Sequence, residues 1–306
     1  MAQVLSFFRR PAAAPAGSAA IADLLADFSI EVMPRTAAKI DDFRAILPAG
    51  TRVYLAHIDG TPFEDMLATA GRLTAEGFAV MPHFPARGIA DEAELAARID
   101  AYAAIGVRQA LVLAGGIDRP RGAFHEAAQL LETGLFDRAC FTDLHVAGHP
   151  EGNKDIDPQG GDAVAMDALR RKSDFQRHTD ARMAIATQFC FDAAPVIDWA
   201  DRIRAAGVTL PVHIGVAGPA KLQTMIKFAM ACGVGPSLRV LQRRAMDLTK
   251  LMLPFEPTEF LAAIAAHKAA TPGFAIERVH FFPLGGIGAT TDYAGSQTAA
   301  PRRARA

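Results

Sequence analysis

The chain alternates short apolar runs with longer amphipathic stretches over most of its length. Each apolar run is rich in Val, Ile, Phe and Leu and is bounded by Gly, Pro or Asp, which is typical of buried strands. The predicted strands are Ser29–Met33, Arg52–Ile58, Phe78–His83, Gln109–Ala114, Cys140–Ala147, Met183–Phe189, Leu210–Val216 and Arg278–Pro283.

The segments between these strands have the apolar spacing of helices. The clearest predicted helices are Phe63–Glu76, Ala93–Ile105, Ala194–Ala206 and Lys221–Cys232. Two of them follow an aspartate, Asp91 or Asp192, which places an acidic side chain at the positive end of the helix dipole. A further helical segment, Ser237–Leu251, is predicted between strands seven and eight.

Strands that are apolar on both faces indicate a parallel sheet covered by helices. An open doubly wound sheet begins with the same alternation, but Met33-Pro34-Arg35 follows the first strand where a dinucleotide fold has a glycine-rich turn. Eight strand–helix units favour an α/β fold of the (β/α)8 TIM barrel type. We expect a single catalytic barrel domain at residues 20–287, a flexible leader at 1–19 and a flexible basic tail at 288–306.

Composition narrows the class of protein. The chain has 306 residues, 51% of them hydrophobic, and a net charge of −1. The hydrophobic share excludes general disorder, and the absence of a basic excess argues against nucleic-acid binding. Cys140, Cys190 and Cys232 lack paired spacing, which suits a reducing cytoplasm. No apolar stretch approaches the roughly 20 residues of a membrane span, so a cytoplasmic protein is expected, with its oligomeric state open and a homo-oligomer among the options.

Barrel enzymes carry their active sites at the C-terminal ends of the strands. Glu31 lies within the first strand, where a buried carboxylate needs a partner or holds a proton, so it is the first candidate for a general acid. The alternative for Glu31 is a structural salt bridge to Arg35 or another cation. Gln188 has apolar neighbours, and its amide must bond either to a ligand or to backbone.

Several histidines also fall at strand ends, but none shows the spacing of a metal site, and no metal is predicted. His213 and His280 fit equally well as core histidines. Gly115 and Gly116 follow the fourth strand and would allow a phosphate close to the backbone. The basic run at residues 170–172 could serve the same anion or form a solvated helix face.

Four segments fall in order at successive strand ends and carry a family resemblance. They are Ile30-Glu31-Val32-Met33-Pro34, Pro82-His83, Val146-Ala147-Gly148-His149-Pro150-Glu151 and Thr187-Gln188-Phe189. Together they resemble the barrel of methylenetetrahydrofolate reductases over roughly residues 28–285.

The resemblance implies an enzyme that interconverts methylene- and methyltetrahydrofolate. In such enzymes NADH or NADPH reduces an FAD held at the strand ends, and the folate then takes hydride from the flavin. The resemblance makes Glu31 the general acid and Gln188, Thr224, Phe228 and Leu284 contacts of the folate or nicotinamide. The implied flavin contacts are His57, His83, Ala114, Gly115, Gly116, His149 and Lys172.

The chain departs from the family where Arg-Gly-Asp usually follows strand four. Ala114-Gly115-Gly116 stands there, without either charge, and Asp118 lies two residues on. Thr224 replaces a glutamine after strand seven. Direct hydride transfer from NADH, a pterin-dependent methyltransferase and a non-catalytic folate- or flavin-binding barrel therefore stay as alternatives, and the choice of NADH or NADPH and the direction stay open.

Overall fold

The computed structural model describes residues 16–231, 237, 239, 241–242 and 254–298. Eight parallel strands close into a barrel in chain order, with the eighth paired to the first. They are β1 (Ser29–Val32), β2 (Arg52–Leu55), β3 (Ala79–Pro85), β4 (Gln109–Leu113), β5 (Asp143–Gly148), β6 (Arg182–Cys190), β7 (Val212–Ala217) and β8 (Ile276–Phe282). The predicted (β/α)8 TIM barrel is confirmed, and every predicted strand is found to within three residues at each end.

Helices surround the barrel in the described part of the chain. They are α1 (Ala16–Leu24), α2 (Pro34–Ala37), α3 (Phe63–Ala75), α4 (Glu92–Ala104), α5 (Ala127–Glu132), α6 (Leu135–Arg138), α7 (Ala163–Phe175), α8 (Ala193–Ala205), α9 (Leu222–Ala231), α10 (Thr258–Ala270) and α11 (Ile287–Thr298). In these ranges, none is both long and apolar enough to cross a membrane.

The two aspartates identified in the sequence cap α4 and α8. The carboxylate of Asp91 accepts the backbone N–H of Glu94 at 2.8 Å, and that of Asp192 accepts the N–H of Ala194 at 3.1 Å. Each bond satisfies a first-turn donor that the helix leaves without a partner. The predicted starts of both helices are confirmed.

The main hydrophobic core lies between the strands and the helices. Outward strand residues such as Ile30, Val53 and Val112 are completely buried there, against helix residues such as Leu95 and Ile99. Because side chains alternate along a strand, the intervening residues point into the barrel. That interior differs in chemistry, since it holds a tyrosine and several histidines beside a small apolar cluster.

The predicted flexible tail is wrong in its first part. Residues 287–298 form α11, in which Ile287, Tyr293 and Ala294 are buried, and the Tyr293 ring meets Phe281 of β8 edge-on. These apolar residues give the segment a face that packs on the barrel. At the other end α1 begins at Ala16, inside the predicted leader. Residues 1–15 and 299–306, and the predicted Ser237–Leu251 helix except for 237, 239 and 241–242, lie outside the described residues.

Candidate functional site

A cavity of about 810 Å³ opens at the C-terminal ends of the strands. The ends of β1, β2, β3, β5, β6 and β8 and part of α9 contribute to its wall. The predicted site residues that line it are Glu31, His57, His83, His149, Gln188, Phe228 and Leu284. Its volume is within the range of small-molecule binding sites.

Glu31 projects from β1 into this cavity between two histidines. Its Oε2 lies 3.6 Å from Nε2 of His83 on β3 and 3.8 Å from Nε2 of His280 on β8. The expectation of full burial is wrong, since the side chain keeps 20% of its exposure, because the inner face of β1 opens into the cavity. Arg35 forms no ion pair with Glu31; among the described residues, the two histidines are the basic groups within 4.0 Å of its carboxylate, and each carries charge only when protonated.

His83 carries an unused polar atom. Its Nε2 is buried and has no hydrogen-bond partner among the described residues. Burial lowers the pKa of His83 to about 4, with a smaller opposing effect from Glu31, so the ring is neutral near pH 7. A neutral imidazole at His83 supplies no counter-charge to the Glu31 carboxyl group. The free nitrogen is therefore available to a ligand at the cavity floor.

His280 is held more firmly than His83. Its Nδ1 is hydrogen-bonded to Oγ of Ser29 at 3.0 Å, and its ring packs on Tyr54 with centroids 4.2 Å apart. The ring is completely enclosed, with 1% of its residue exposed. With Nδ1 engaged, Nε2 is the nitrogen that faces Glu31. Of the two roles that the sequence left open for His280, the structure supports both a core position and a place beside the site.

A polar layer lies inside the barrel. The hydroxyl of Tyr54 is 2.5 Å from Nδ1 of His145 and 3.5 Å from Nδ1 of His213. Burial lowers the pKa of His145 well below its ordinary value and that of His213 to about 3, and it raises the pKa of Tyr54. All three side chains are therefore uncharged at neutral pH. They add hydrogen-bonding groups to the interior without adding charge.

Gln188 reaches the cavity through an irregularity in the barrel. The pairing of β6 with β7 shifts register between Ala186 and Phe189, and Oγ1 of Thr187 accepts the N–H of Gly215 at 2.8 Å. A Cβ at Gly215 would lie 2.5 Å from the Thr187 carbonyl oxygen, so only glycine allows this approach.

Both alternatives for the Gln188 amide are met in part. Its Oε1 accepts the N–H of Phe189 at 3.0 Å, which is the structural bond. Its NH2 group has no hydrogen-bond partner among the described residues, and the side chain lines the cavity. The amide is thus oriented by the backbone and keeps two donors for a ligand.

The predicted flavin contacts separate into two groups. His57, His83 and His149 line the cavity, but Ala114, Gly115 and Gly116 do not. The carbonyl oxygen of Ala114 accepts the N–H of Arg87 at 2.9 Å, which holds the turn after β4 against the turn after β3.

Lys172 also lies outside the main cavity. Its Nζ donates to the Ala147 carbonyl at 3.0 Å and lines a separate small pocket that it shares with His149. Burial lowers the pKa of Lys172 to about 8. Its neighbour Arg171 forms an ion pair with Glu126 at 2.5 Å, so the predicted basic run does not converge on the cavity.

The chain therefore fits FAD only in part. The three cavity histidines, one of them with an orphaned buried nitrogen, suit a flat polar ring system. The residues predicted for its phosphates do not reach the same space. No step of the chemistry below is assigned to a flavin.

The other three predicted substrate contacts have different surroundings. Phe228 and Leu284 line the cavity, and Phe228 is 37% exposed, which is unusual for a phenylalanine outside an interface or a ligand site. Thr224 lies one turn before Phe228 on α9, is half-buried and does not line the cavity.

Sequence reasoning missed three polar contributors to the cavity, Thr36, Lys39 and Thr187, and assigned Arg35 only as a partner of Glu31. The side chains of Arg35 and Lys39 line the cavity and are exposed. Their place directly after β1 was the available signal, since active sites of barrels lie where the strands end. Among the described residues, no group of three His, Cys, Asp or Glu side chains is placed to hold a metal ion.

No protein-family model matches the chain. The functional argument therefore depends on the geometry of this cavity and on the resemblance carried by its residues.

Proposed function

We propose that the chain is an oxidoreductase of the methylenetetrahydrofolate reductase type. It would interconvert 5,10-methylenetetrahydrofolate and 5-methyltetrahydrofolate, with NADH or NADPH as the source of hydride. The observation that carries the proposal is Glu31, an acid beside the neutral ring of His83 on the floor of a mostly apolar cavity, with the free amide NH2 of Gln188 lining the same space.

Reduction needs one proton and one hydride. Transfer of a proton from Glu31 to N10 of the folate breaks the bond between N10 and the methylene carbon, which leaves an iminium at N5. The nicotinamide supplies the hydride that this carbon accepts, and the iminium becomes the 5-methyl group. The carboxylate of Glu31 then takes up a proton before the next turnover.

The remaining lining suits a flat, partly polar ligand. The free amide N–H groups of Gln188 can donate to a ring carbonyl or nitrogen, and Phe228 and Leu284 offer apolar faces for an aromatic ring. His83 adds one neutral nitrogen beside Glu31. These groups supply orientation, which is a large part of the rate gain in a two-substrate reaction.

When bound, FAD would supply a relay that takes hydride from the nicotinamide and passes it to the folate. It is supported by His57, His83 and His149, three of its seven predicted contacts. An absorption spectrum of the purified protein, before and after adding FAD, tests this part. A protein that binds no flavin but oxidises NADH with methylenetetrahydrofolate would favour direct transfer.

The main test is oxidation of NADH and NADPH in the presence of methylenetetrahydrofolate, with product identified as methyltetrahydrofolate. Turnover in the wild type and its loss in Glu31→Gln support the proposal. A pterin-dependent methyltransferase would bind methyltetrahydrofolate without oxidising either nucleotide. Binding without any turnover would favour the non-catalytic barrel.

A further inference from the structure

The mouth of the cavity carries two cations that the described acids do not neutralise. Arg35, on α2, and Lys39, four residues later, both line the cavity and are exposed. Within the described part of the chain, neither has a carboxylate within 4.0 Å. Exposed arginines elsewhere differ in this respect: Arg44 and Arg171 are paired with acids, whereas Arg119 has no carboxylate within 4.0 Å in the described part of the chain.

Arg35 and Lys39 lie on the same side of the cavity as Glu31 and Leu284. α2 directly follows β1, which carries Glu31, and β1 is the neighbour of β8 in the barrel. The segment after β8 contributes Leu284 to the same cavity. Arg35, Lys39 and Leu284 thus lie on the segments that follow two adjacent strands, β1 and β8, on one side of the cavity.

Charge is distributed unevenly over the cavity. Among the described lining residues, Glu31 is the one carboxylate, and Arg35 and Lys39 are the cations that stay charged at neutral pH. A ligand that matches this lining has a polar ring at Glu31, an apolar or aromatic middle part against Phe228 and Leu284, and a negative charge at the end that reaches α2.

We propose that Arg35 and Lys39 form a subsite for the anionic end of the ligand whose ring lies at Glu31. The inference rests on the proposed function, under which this end is either the glutamyl carboxylates of the folate or the phosphates of the dinucleotide. Both are oxyanions that a guanidinium binds with two parallel hydrogen bonds and that an ammonium attracts as a point charge.

Kinetics of charge-removing variants test the subsite. Arg35→Gln and Lys39→Met keep most of the side-chain volume, and each is expected to raise one substrate KM about two- to fivefold, with kcat little changed, because an exposed ionic contact contributes up to about 1 kcal/mol. The difference from wild type should shrink at high salt, since salt screens exposed charges. Arg119→Gln and Lys154→Met are matched controls, because both residues are exposed and lie outside the cavity lining.

The substrate whose KM rises identifies the source of the anion. A rise for methylenetetrahydrofolate, absent with an analogue that lacks the glutamyl group, assigns the folate carboxylates. A rise for NADH or NADPH alone assigns the phosphates. If the double variant Arg35→Gln/Lys39→Met leaves both KM values within twofold of the controls, the cations are merely solvated and the subsite is overturned.

Calorimetry with anionic fragments separates this inference from the proposed function. The probes are p-aminobenzoyl-glutamate for the folate tail and ADP for the dinucleotide, titrated into the wild type, the double variant and the control variants. Binding of one fragment that the double variant loses supports the subsite even if the wild type shows no turnover. Equal binding by wild type and double variant, or none by either, contradicts it.

Discussion

At the N-terminal end of the barrel Asp143 is enclosed by donors, whereas at the C-terminal end Glu31 has no hydrogen bond from a described residue. The Asp143 carboxylate accepts from Arg52 at 3.0 Å, Arg182 at 2.9 Å and Thr142 at 2.9 Å. Gln109 completes the group by accepting from Arg52 at 2.9 Å. Four of these residues begin strands: Arg52, Gln109, Asp143 and Arg182.

The difference separates two uses of charge in one barrel. Burial of a carboxylate costs free energy unless hydrogen-bond donors or cations satisfy it. At the N-terminal end of the barrel, residues of the chain itself satisfy Asp143 in this way. At the C-terminal end, Glu31, Nε2 of His83 and the NH2 group of Gln188 have no hydrogen-bond partner among the described residues. Unsatisfied groups beside a cavity are those that a ligand would satisfy.

The largest expected effect is a loss of stability in acid, caused by histidines at the mouth and in the interior. Burial lowers the pKa of His83 and His149 to about 4 and that of His213 to about 3. The unfolded chain then takes up more protons than the folded one as the pH falls below about 6.5, and each histidine removes about 1.4 kcal/mol of stability per pH unit until its folded pKa is reached.

Denaturant unfolding at pH 7, 6 and 5 measures this loss. For the three histidines together, the loss amounts to several kcal/mol at pH 5. His125→Asn is the control for the substitution itself, because the His125 side chain is exposed. A free energy of unfolding that stays constant from pH 7 to pH 5 would show that these rings are not held neutral in the fold.

Replacing Glu31, the carboxylate at the C-terminal end of the barrel, should lower the catalytic rate and leave stability almost unchanged. Glu31→Gln keeps the shape and removes the transferable proton, so we expect kcat to fall about 10²- to 10⁴-fold, the usual contribution of a general acid. The free energy of unfolding should stay within about 0.5 kcal/mol of the wild type, since Glu31 makes no hydrogen bond within the described residues. NADH oxidation and denaturant unfolding on the same preparation measure both.

Unchanged turnover in Glu31→Gln would remove Glu31 from its role. Glu92→Gln is a matched control: the residue is an exposed glutamate on the outer helix α4 and should change neither quantity.

Replacing Asp143, the carboxylate at the N-terminal end of the barrel, should lower stability and leave the rate unchanged. Asp143→Asn leaves Arg52, whose side chain is 18% exposed, without its counter-charge. We expect a loss of about 2 to 3 kcal/mol, less than for a fully buried pair because Arg182 is mostly exposed. The kcat of the folded fraction should be unchanged.

Thermal and denaturant unfolding, with kcat measured well below the melting temperature, test the pattern. Asp42→Asn, which breaks an exposed pair with Arg44, is the control and should change stability far less, because solvent screens that pair. A loss of kcat in Asp143→Asn larger than in Glu31→Gln would contradict the separation of roles between the two ends.

The barrel was predictable because its strands have a strong apolar pattern and its helices have acidic caps at Asp91 and Asp192. The position of Glu31 at the cavity followed from its place in β1, and Gln188 from its place in β6. The neighbours of Glu31 did not follow in the same way. His83 and His280 are separated from it by 52 and 249 residues, and closure of the barrel alone brings them together.

Two sequence predictions depend on different physical features. The turn after β4 was predicted to admit a phosphate because it lacks side chains; that contact stays a prediction, and the chain bonds the turn to the one after β3 through Ala114 and Arg87, outside the cavity lining. The C-terminal segment was predicted to be flexible because it ends in basic residues. Three apolar residues, Ile287, Tyr293 and Ala294, decide instead that its first part packs as α11.

The smallest expected effect is at Ser29, which contacts the histidine that lies beside Glu31. Its hydroxyl is bonded to Nδ1 of His280, and this bond keeps Nε2 toward Glu31. Ser29→Ala should lower kcat about fivefold, since one hydrogen bond contributes about 1 kcal/mol, and should leave KM unchanged.

The comparison with Ser29→Thr decides whether the hydroxyl itself matters, because threonine keeps the oxygen that bonds His280. Its kcat and the pH profile of kcat should stay close to the wild type, whereas in Ser29→Ala the profile should shift because the ring beside Glu31 is no longer fixed. Equal losses in the two variants would mean that packing around Ser29, which is 3% exposed, is what was disturbed. Glu31 would then depend on the cavity alone for its orientation, and the interior histidines would serve only the fold.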